Sequence, residues 1–194
     1  PEWIKSQIDK FIKEDAPEGD LTTEAINFKD SNVYAKMVAA ETFIYCGEHI
    51  IPYCFPSSCS IKSLFKEGQQ ISKGDTLVII NGPARDILIY ERVTLNLIQR
   101  LCGISTETKK YTSLNIPKTF KVMDTRKMTP GLRKFEKYAV YVGGGWNHRL
   151  DLSSGILIKD NHIQAAGGVK QAVNQILLKN KKKLSVELEV DTID

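Results

Sequence analysis

The sequence predicts an α/β chain: a small α+β domain over the first hundred residues, then alternating strands and helices of a parallel sheet or barrel. Three observations predict it. Short strand patterns punctuated by turn residues fill the region before Ala84. A long helical pattern runs from about Ala84 to Gly103. After residue 115 the hydrophobic period switches repeatedly between strand and helix, as βαβα units require.

Taken in order, Ile4, Ile8, Phe11 and Ile12 share one helical face, and the helix is expected to stop near Ala16-Pro17. Glu18-Gly19-Asp20 reads as a turn. Val33, Ala35, Met37 and Ala39 alternate with Tyr34, Lys36 and Val38, a strand pattern. Phe65 to Gly68 and Lys73 to Asp75 are turn-rich, and Thr76 to Ile80 is a strand. In the long helix Ile89, Val93, Leu97 and Leu101 form the expected buried stripe. Arg92, Asn96 and Gln99 share another face, and Gly103 is expected to cap or bend the end. The domain boundary is placed there, giving residues 1–102 and 103–194. Phe120 to Met123 reads as an apolar strand, Leu132 to Val142 as a helix ending at Gly143-Gly144-Gly145, and Gly155 to Ile158 as a second strand. Gly168 to Lys179 reads as a helix and Leu184 to Val190 as a third strand. Strands of this kind are expected to be buried on both faces. The run Lys181-Lys182-Lys183 reads as a solvated turn after a helix C-terminus.

The length of 194 residues allows one or two domains at roughly 150 residues each. With 42% apolar and 26% charged residues, composition argues against disorder, collagen and coiled coil. No apolar run approaches the roughly 18 residues of a membrane span, and Glu2, Lys5, Asp9 and Lys10 do not form a signal-peptide pattern. A cytoplasmic protein without a membrane partner is the expectation. A net charge of +4 is too small to imply nucleic acid, yet it allows an anionic small molecule. Cys46, Cys54, Cys59 and Cys102 lack zinc spacing and read as reduced thiols. The strand pattern before Asp194 would leave an open edge, so the chain is expected to be a fragment of a longer protein.

Each strand pattern after residue 115 delivers charge at or near its end. The first runs into Asp124-Thr125-Arg126-Lys127, the second into Lys159-Asp160-Asn161-His162, and the third carries Glu187 and Glu189 on one face. In parallel α/β folds that rim is where sites are built. The loop Gly143 to Gly145 leads into Asn147-His148-Arg149, donors of the kind that hold carboxylate or phosphate. Arg126, Lys127, Arg149 and Lys159 are fixed positives, His148 adds a fifth when protonated, and Glu189 is a negative. Like charges 4 Å apart cost about 4 kcal/mol at an effective dielectric of 20. Such a cluster fits a polyanion: a dicarboxylate, a sugar phosphate or a pyrophosphate. The blander alternative is that Asp124, Asp151 and Asp160 neutralise it as ordinary ion pairs. Glu189 could serve ribose hydroxyls, a metal-bound water or a developing cation. Fingerprints for a Walker loop, a serine hydrolase, a zincin or a dinucleotide fold are absent from the sequence.

The chain resembles the quinolinate phosphoribosyltransferase family, also called nicotinate-nucleotide pyrophosphorylase (carboxylating). The matching stretches begin with Glu14-Asp15, Gly19 to Thr23, and Glu91-Arg92 through Leu95-Asn96-Leu97 to Gly103-Ile104. They continue with Asp124 to Lys127, Thr129 to Arg133, Glu136-Lys137-Tyr138 and Gly143 to Gly145. Asn147-His148-Arg149, Ile158 to His162 and Glu187 to Val190 complete them. The resemblance implies an N-terminal α/β sandwich followed by a barrel-like domain related to the TIM barrel, with the C-terminal part of the barrel missing from this chain. It implies a pentosyltransferase of NAD biosynthesis: phosphoribosyl passes from phosphoribosyl pyrophosphate to quinolinate with decarboxylation, giving nicotinate mononucleotide, pyrophosphate and carbon dioxide. It implies magnesium with the pyrophosphate substrate, no protein metal ligands, and a homodimer, higher oligomers being open, with Arg92 donated across the interface. By the same resemblance Arg126, His148, Arg149 and Lys159 hold the quinolinate carboxylates, Lys127 meets phosphate, and Glu189 faces the ribose or its metal. Arg126, Lys127, Lys159 and Glu189 are the expected catalytic set. Met128 stands where the family usually has Thr, and Trp146 occupies a variable position; neither removes a charge. A family aspartate after the next strand and the later phosphate loops have no counterpart here. The alternatives are a nicotinate or nicotinamide relative, disfavoured by the excess of positive groups, and a non-enzymatic anion or nucleic-acid surface, disfavoured by the lack of interleaved aromatics.

Overall fold

A computed structural model describes residues 2–26, 28, 32–115, 117 and 119–192. Pro1 and Asp194, the outer ends of the two expected domains, lie outside the described residues. Contacts divide the chain into two units, Pro1–Asp124 with Lys134–Trp146, and Thr125–Arg133 with Asn147–Asp194.

In the first unit, α1 spans Glu2–Asp15, with Glu2 in the first turn and Lys13 in the last, each matched to the helix dipole. Its inward face is anchored by Ile8, which is fully buried. Gly19 turns the chain at φ +97°, a conformation that favours glycine. Asp20 then caps a short helix the sequence pattern did not announce, α2 at Leu21–Ala25. The Asp20 carboxylate accepts from the Thr23 hydroxyl and from Thr22 N at 3.0 Å. These bonds, led by the Thr23 side chain, hold its carboxyl below the usual range.

The expected strand at Val33 appears as β1, Asn32–Val38. Next come β2 (Phe43–Ile44), β3 (Ser60–Ser63), β4 (Gln70–Ile71) and β5 (Thr76–Pro83). β5 is central, flanked antiparallel by β1 and β3, and its Leu77, Val78 and Ile80 are core residues. β2 and β4 form a separate antiparallel pair.

α3 spans Ala84–Thr112, 29 residues. It continues through Gly103, where the sequence placed an end. Gly103 is exposed, and a Cβ there would meet nothing within 4 Å. Leu101, Cys102, Ser105 and Thr108 are buried on both sides of it in sequence. Tertiary burial outweighs the roughly 1 kcal/mol that glycine costs a helix. The buried face is also rotated from the expected one: Ile87, Thr94, Leu97, Ile98 and Leu101 are buried, while Ile89 and Val93 are half-buried.

α4, Arg133–Val142, lies where its pattern predicted. Its Phe135 and Ala139 are buried, and Ser105 of α3 donates to the Ala139 carbonyl at 2.8 Å. The expected strand at Phe120 to Met123 does not form. That stretch makes a single parallel bridge, Met123 to Trp146. Trp146 N donates to Val122 O and Asp124 N to Trp146 O. Phe120 and Met123 remain exposed, so apolar character there reflects no ladder.

The second unit holds β6 (Ile156–Ile158), α5 (Asp160–Ala166), α6 (Val169–Lys179) and β7 (Val186–Leu188). β6 and β7 pair in parallel, with Leu157 opposite Glu187 and Ile158 opposite Leu188. Ile158 and Ala172 are buried. α5 was not anticipated, because Asp160-Asn161-His162 reads only as charge after a strand. Burial on both faces fails for β7, whose Glu187 and Leu188 are exposed. Among the described residues β6 is its one strand partner, and the other edge lacks a covering element of that sheet.

Candidate active site

The second unit gathers the charges expected at strand ends. β6 ends at Ile158, and Lys159 follows at once as the residue preceding α5. β7 ends at Leu188, and Glu189 N donates to Ile158 O at 2.9 Å, extending the parallel pairing by one bond. Parallel alignment therefore puts Lys159 and Glu189 side by side, and their side chains pair at 2.8 Å. Two residues back on β7, Glu187 points to the same face. Its Oε2 lies 2.8 Å from Nε2 of His148. Lys159 N donates to His162 Nδ1 at 3.0 Å, and His162 N donates back to Lys159 O at 2.9 Å, which fixes the start of α5. An Nδ1 that accepts places the His162 proton on Nε2.

Arg149 is half-buried and donates through Nη1 to the Gly155 carbonyl at 2.9 Å, ahead of β6. The intervening turn is built on Asp151, whose carboxylate accepts from Ser153 N and Oγ; these bonds hold its carboxyl below the usual range. Lys127 is exposed, and its N–H is held by Thr125 Oγ1 at 3.0 Å. Arg126 is half-buried, and its Nε is buried with no hydrogen-bond partner among the described residues; the same holds for Arg133 Nε. A buried guanidinium N–H is an obligatory donor, and its charge and fork geometry suit a carboxylate or phosphate.

His148, Arg149, Lys159 and Glu189 thus share the second unit with Arg126 and Lys127. Arg92 lies on α3 in the first unit, exposed like Asn96 and Gln99 on its face. Asp151 and Asp160 make local backbone bonds, to Ser153 N and Asn161 N. Asp124 pairs with Lys137. Two contributions escaped the sequence reading. Glu187 is the partner of His148, a role signalled only by its two-residue spacing from Glu189. The stretch Glu136-Lys137-Tyr138 is internal wiring of the first unit. Glu136 is buried against Arg100, whose Nε donates at 2.7 Å. Lys137 is buried against Asp124. The Tyr138 hydroxyl donates at 2.9 Å to Glu67, whose carboxylate also accepts from Gly47 N and His49 N. Burial, then the Glu67 charge, push the Tyr138 phenol well above its usual range.

Comparison with known proteins converges on one family. Residues 20–102 match the N-terminal domain of quinolinate phosphoribosyl transferase and residues 104–194 its C-terminal domain. A Bacillus subtilis protein, "Probable nicotinate-nucleotide pyrophosphorylase (carboxylating)", is 40% identical over 97% of this chain and 66% of its own length. "Quinolinate phosphoribosyltransferase (decarboxylating) 1b" from Nicotiana tabacum is 39% identical over 98% of this chain and 56% of its own. The chain therefore spans between about half and two thirds of the length of these relatives. The crystal structure of NadC from Streptococcus pyogenes superposes with a TM-score of 0.91 at 36% identity, covering 99% of this chain and 70% of that one.

Proposed function

The chain belongs to the quinolinate phosphoribosyltransferase family, and from that premise we propose that the protein transfers phosphoribosyl from phosphoribosyl pyrophosphate to quinolinate. Decarboxylation accompanies the transfer, giving nicotinate mononucleotide, pyrophosphate and carbon dioxide in NAD biosynthesis. The observation that carries this reading is that one structural unit holds Arg126, Lys127, His148, Arg149 and Lys159, with Lys159 set beside Glu189 at the end of the parallel pair β6 and β7.

The site residues take the roles that charge and position allow. Arg126, His148, Arg149 and Lys159 bind the two carboxylates and hold the pyridine nitrogen toward the ribose carbon, so orientation replaces a chance encounter. Lys127 meets the phosphates. As pyrophosphate leaves, positive charge develops on the ribose, and the Glu189 carboxylate opposes it. Bond formation makes the ring nitrogen cationic; carbon dioxide then leaves with the bonding pair remaining on the adjacent ring carbon, where the neighbouring positive charge stabilises it until a proton from water completes the nicotinate ring. Arg126, Lys127, Lys159 and Glu189 are the proposed catalytic set, and no covalent protein intermediate is needed.

Magnesium enters only as the companion of the pyrophosphate substrate, where it would neutralise phosphate charge. Among the described residues no group of three or more His, Cys, Asp or Glu side chains is placed to hold a metal ion. The proposal extends to a homodimer in which the exposed Arg92 serves the partner's site, to the domains 1–102 and 103–194, and to a sandwich-plus-barrel architecture. It also extends to a cytoplasmic location. Among the described residues no helix is long and apolar enough to cross a membrane.

The test is product formation by the protein with phosphoribosyl pyrophosphate and magnesium, offering quinolinate or nicotinate separately. Nicotinate mononucleotide from quinolinate alone is the expected result. Product from nicotinate alone overturns the dicarboxylate assignment.

A further inference from the structure

We propose that Glu187 is a positioning residue: it holds the His148 imidazole through Nε2 and so fixes the ring in the orientation that receives a substrate carboxylate. This rests on the reading of His148 as a quinolinate contact. Four observations support it. The Glu187 Oε2 to His148 Nε2 distance is 2.8 Å. The His148 side chain is only 20% exposed while that of Glu187 is 52% exposed, so the imidazole is enclosed and the carboxylate reaches in from the rim. Glu187 sits within β7, opposite Leu157 in the parallel register, so its backbone is fixed by the strand pair rather than by a loop. Glu189, the next residue on that face, is already committed to Lys159 at 2.8 Å. Glu187 and Glu189 therefore serve separate basic side chains.

The physical argument is one of ring geometry. An imidazole has two chemically distinct nitrogens, and the bond made by one decides which proton and which edge the other presents. A carboxylate on Nε2 demands a proton there, and a substrate carboxylate met at the other edge demands a second on Nδ1, so the ring that receives quinolinate carries both protons. His148 follows the turn at Gly143 to Gly145 and precedes a loop, so its backbone alone constrains the ring weakly. A ring free to turn about its side-chain bonds loses part of its binding to the ordering cost of each encounter. Glu187 removes that cost in advance. The alternative role, a resting counter-charge that the substrate must displace, makes the opposite prediction: removing Glu187 would tighten binding.

The experiment uses the intact protein, with Glu187→Ala and Glu187→Gln. Glutamine keeps an acceptor oxygen and drops the charge. Quinolinate affinity is measured by calorimetry, and steady-state kinetics give kcat and KM. In parallel, long-range proton–nitrogen NMR reads the imidazole tautomer without substrate. The chain has three histidines, and a His148→Asn spectrum assigns the signal. For Glu187→Ala the expected result is quinolinate binding weaker by about tenfold, the size of one hydrogen bond to a charged group. Its kcat at saturation stays within about twofold by the same reasoning, since ground-state positioning reappears in KM. Its His148 nitrogens average between tautomers. For Glu187→Gln the tautomer signature and most of the affinity return. Equal or tighter quinolinate binding by both variants overturns the proposal, as does an unchanged His148 signature in Glu187→Ala. If wild type binds no quinolinate and the signature still depends on Glu187, the positioning stands and the substrate reading fails.

Discussion

Lys137 and Asp124 form an ion pair with both side chains 4% exposed. Lys66 and Glu48 form one with the lysine 78% exposed. The chemistry is the same and the surroundings are not. Removing one partner of a buried pair strands a charge away from water and costs about 3–5 kcal/mol. An exposed pair is worth at most about 1 kcal/mol. Lys137→Ala is therefore expected to lower the urea midpoint severely and Lys66→Ala hardly at all; equal effects would contradict the burial argument. Arg149 gives a different separation. Its bond to the Gly155 carbonyl at 2.9 Å is a modest structural contribution, whereas its proposed carboxylate contact is charge-assisted. Arg149→Ala is expected to weaken quinolinate binding at least about tenfold while costing no more than about 1.5 kcal/mol of folding stability, the net value of one ordinary hydrogen bond. Calorimetric titration and thermal melts of the same preparation read the two effects.

At the scale of elements, the junction of α3 and α4 depends on Gly143. A Cβ there would lie 2.6 Å from the Ser105 carbonyl and 2.6 Å from Thr108 Cβ. Thr112 Oγ1 donates to the Gly143 carbonyl at 2.8 Å across the same contact. Gly143→Ala must push two helices apart, and overpacking of this kind costs about 1–3 kcal/mol. Gly103→Ala, on an open stretch of α3, is the control and is expected to gain up to about 1 kcal/mol; differential scanning calorimetry compares them. The same elements show what a sequence can disclose. α1, β1 and α4 carry periodic patterns because apolar residues recur on the face that packs inward, whereas β5 is legible as a short apolar run and has no exposed residue along its length. α2 and α5 span five and seven residues, less than two helical turns each, so no period can declare itself; α2 is set by its Asp20 cap. The Phe120 to Met123 stretch misleads because apolar character marks burial or ligand contact as readily as a ladder. At the site, Lys159 is conspicuous in the sequence as a charge after an apolar strand, and Asn147-His148-Arg149 as donors after a run of glycines. The pairing of His148 with Glu187 was not, since it joins residues 39 apart in sequence through a register that only three-dimensional pairing fixes.

For the molecule as a whole, buried weak acids set the alkaline limit. Burial pushes the Cys102 thiol from 9.0 up to about 11 and the Cys54 thiol up to about 12. The phenols of Tyr45 and Tyr138 are also raised, chiefly by burial. In the folded state these groups keep their protons where the unfolded chain has released them. Their contribution is fully present below the unfolded thiol value of 9.0 and is lost as pH rises toward 11 for Cys102 and 12 for Cys54. The urea midpoint is expected to hold from pH 7 to pH 8.5 and to fall steadily from pH 9 upward. A midpoint constant to pH 11 would show that these groups titrate as freely folded as unfolded. A last consequence follows from how the two units divide the chain, Pro1–Asp124 with Lys134–Trp146 against Thr125–Arg133 with Asn147–Asp194. The polypeptide passes from one unit to the other at three separate points, so they are threaded like two stitches of one yarn. No single cut releases either piece whole. The stretch bearing Arg126 and Lys127 leaves the first unit at Asp124 and re-enters it at Lys134, moored at both ends, and a short loop moored twice has few shapes to choose from. A protease that nicks it would leave every proposed ligand in place along the chain and still untie Arg126 and Lys127 from the segment that restrains them.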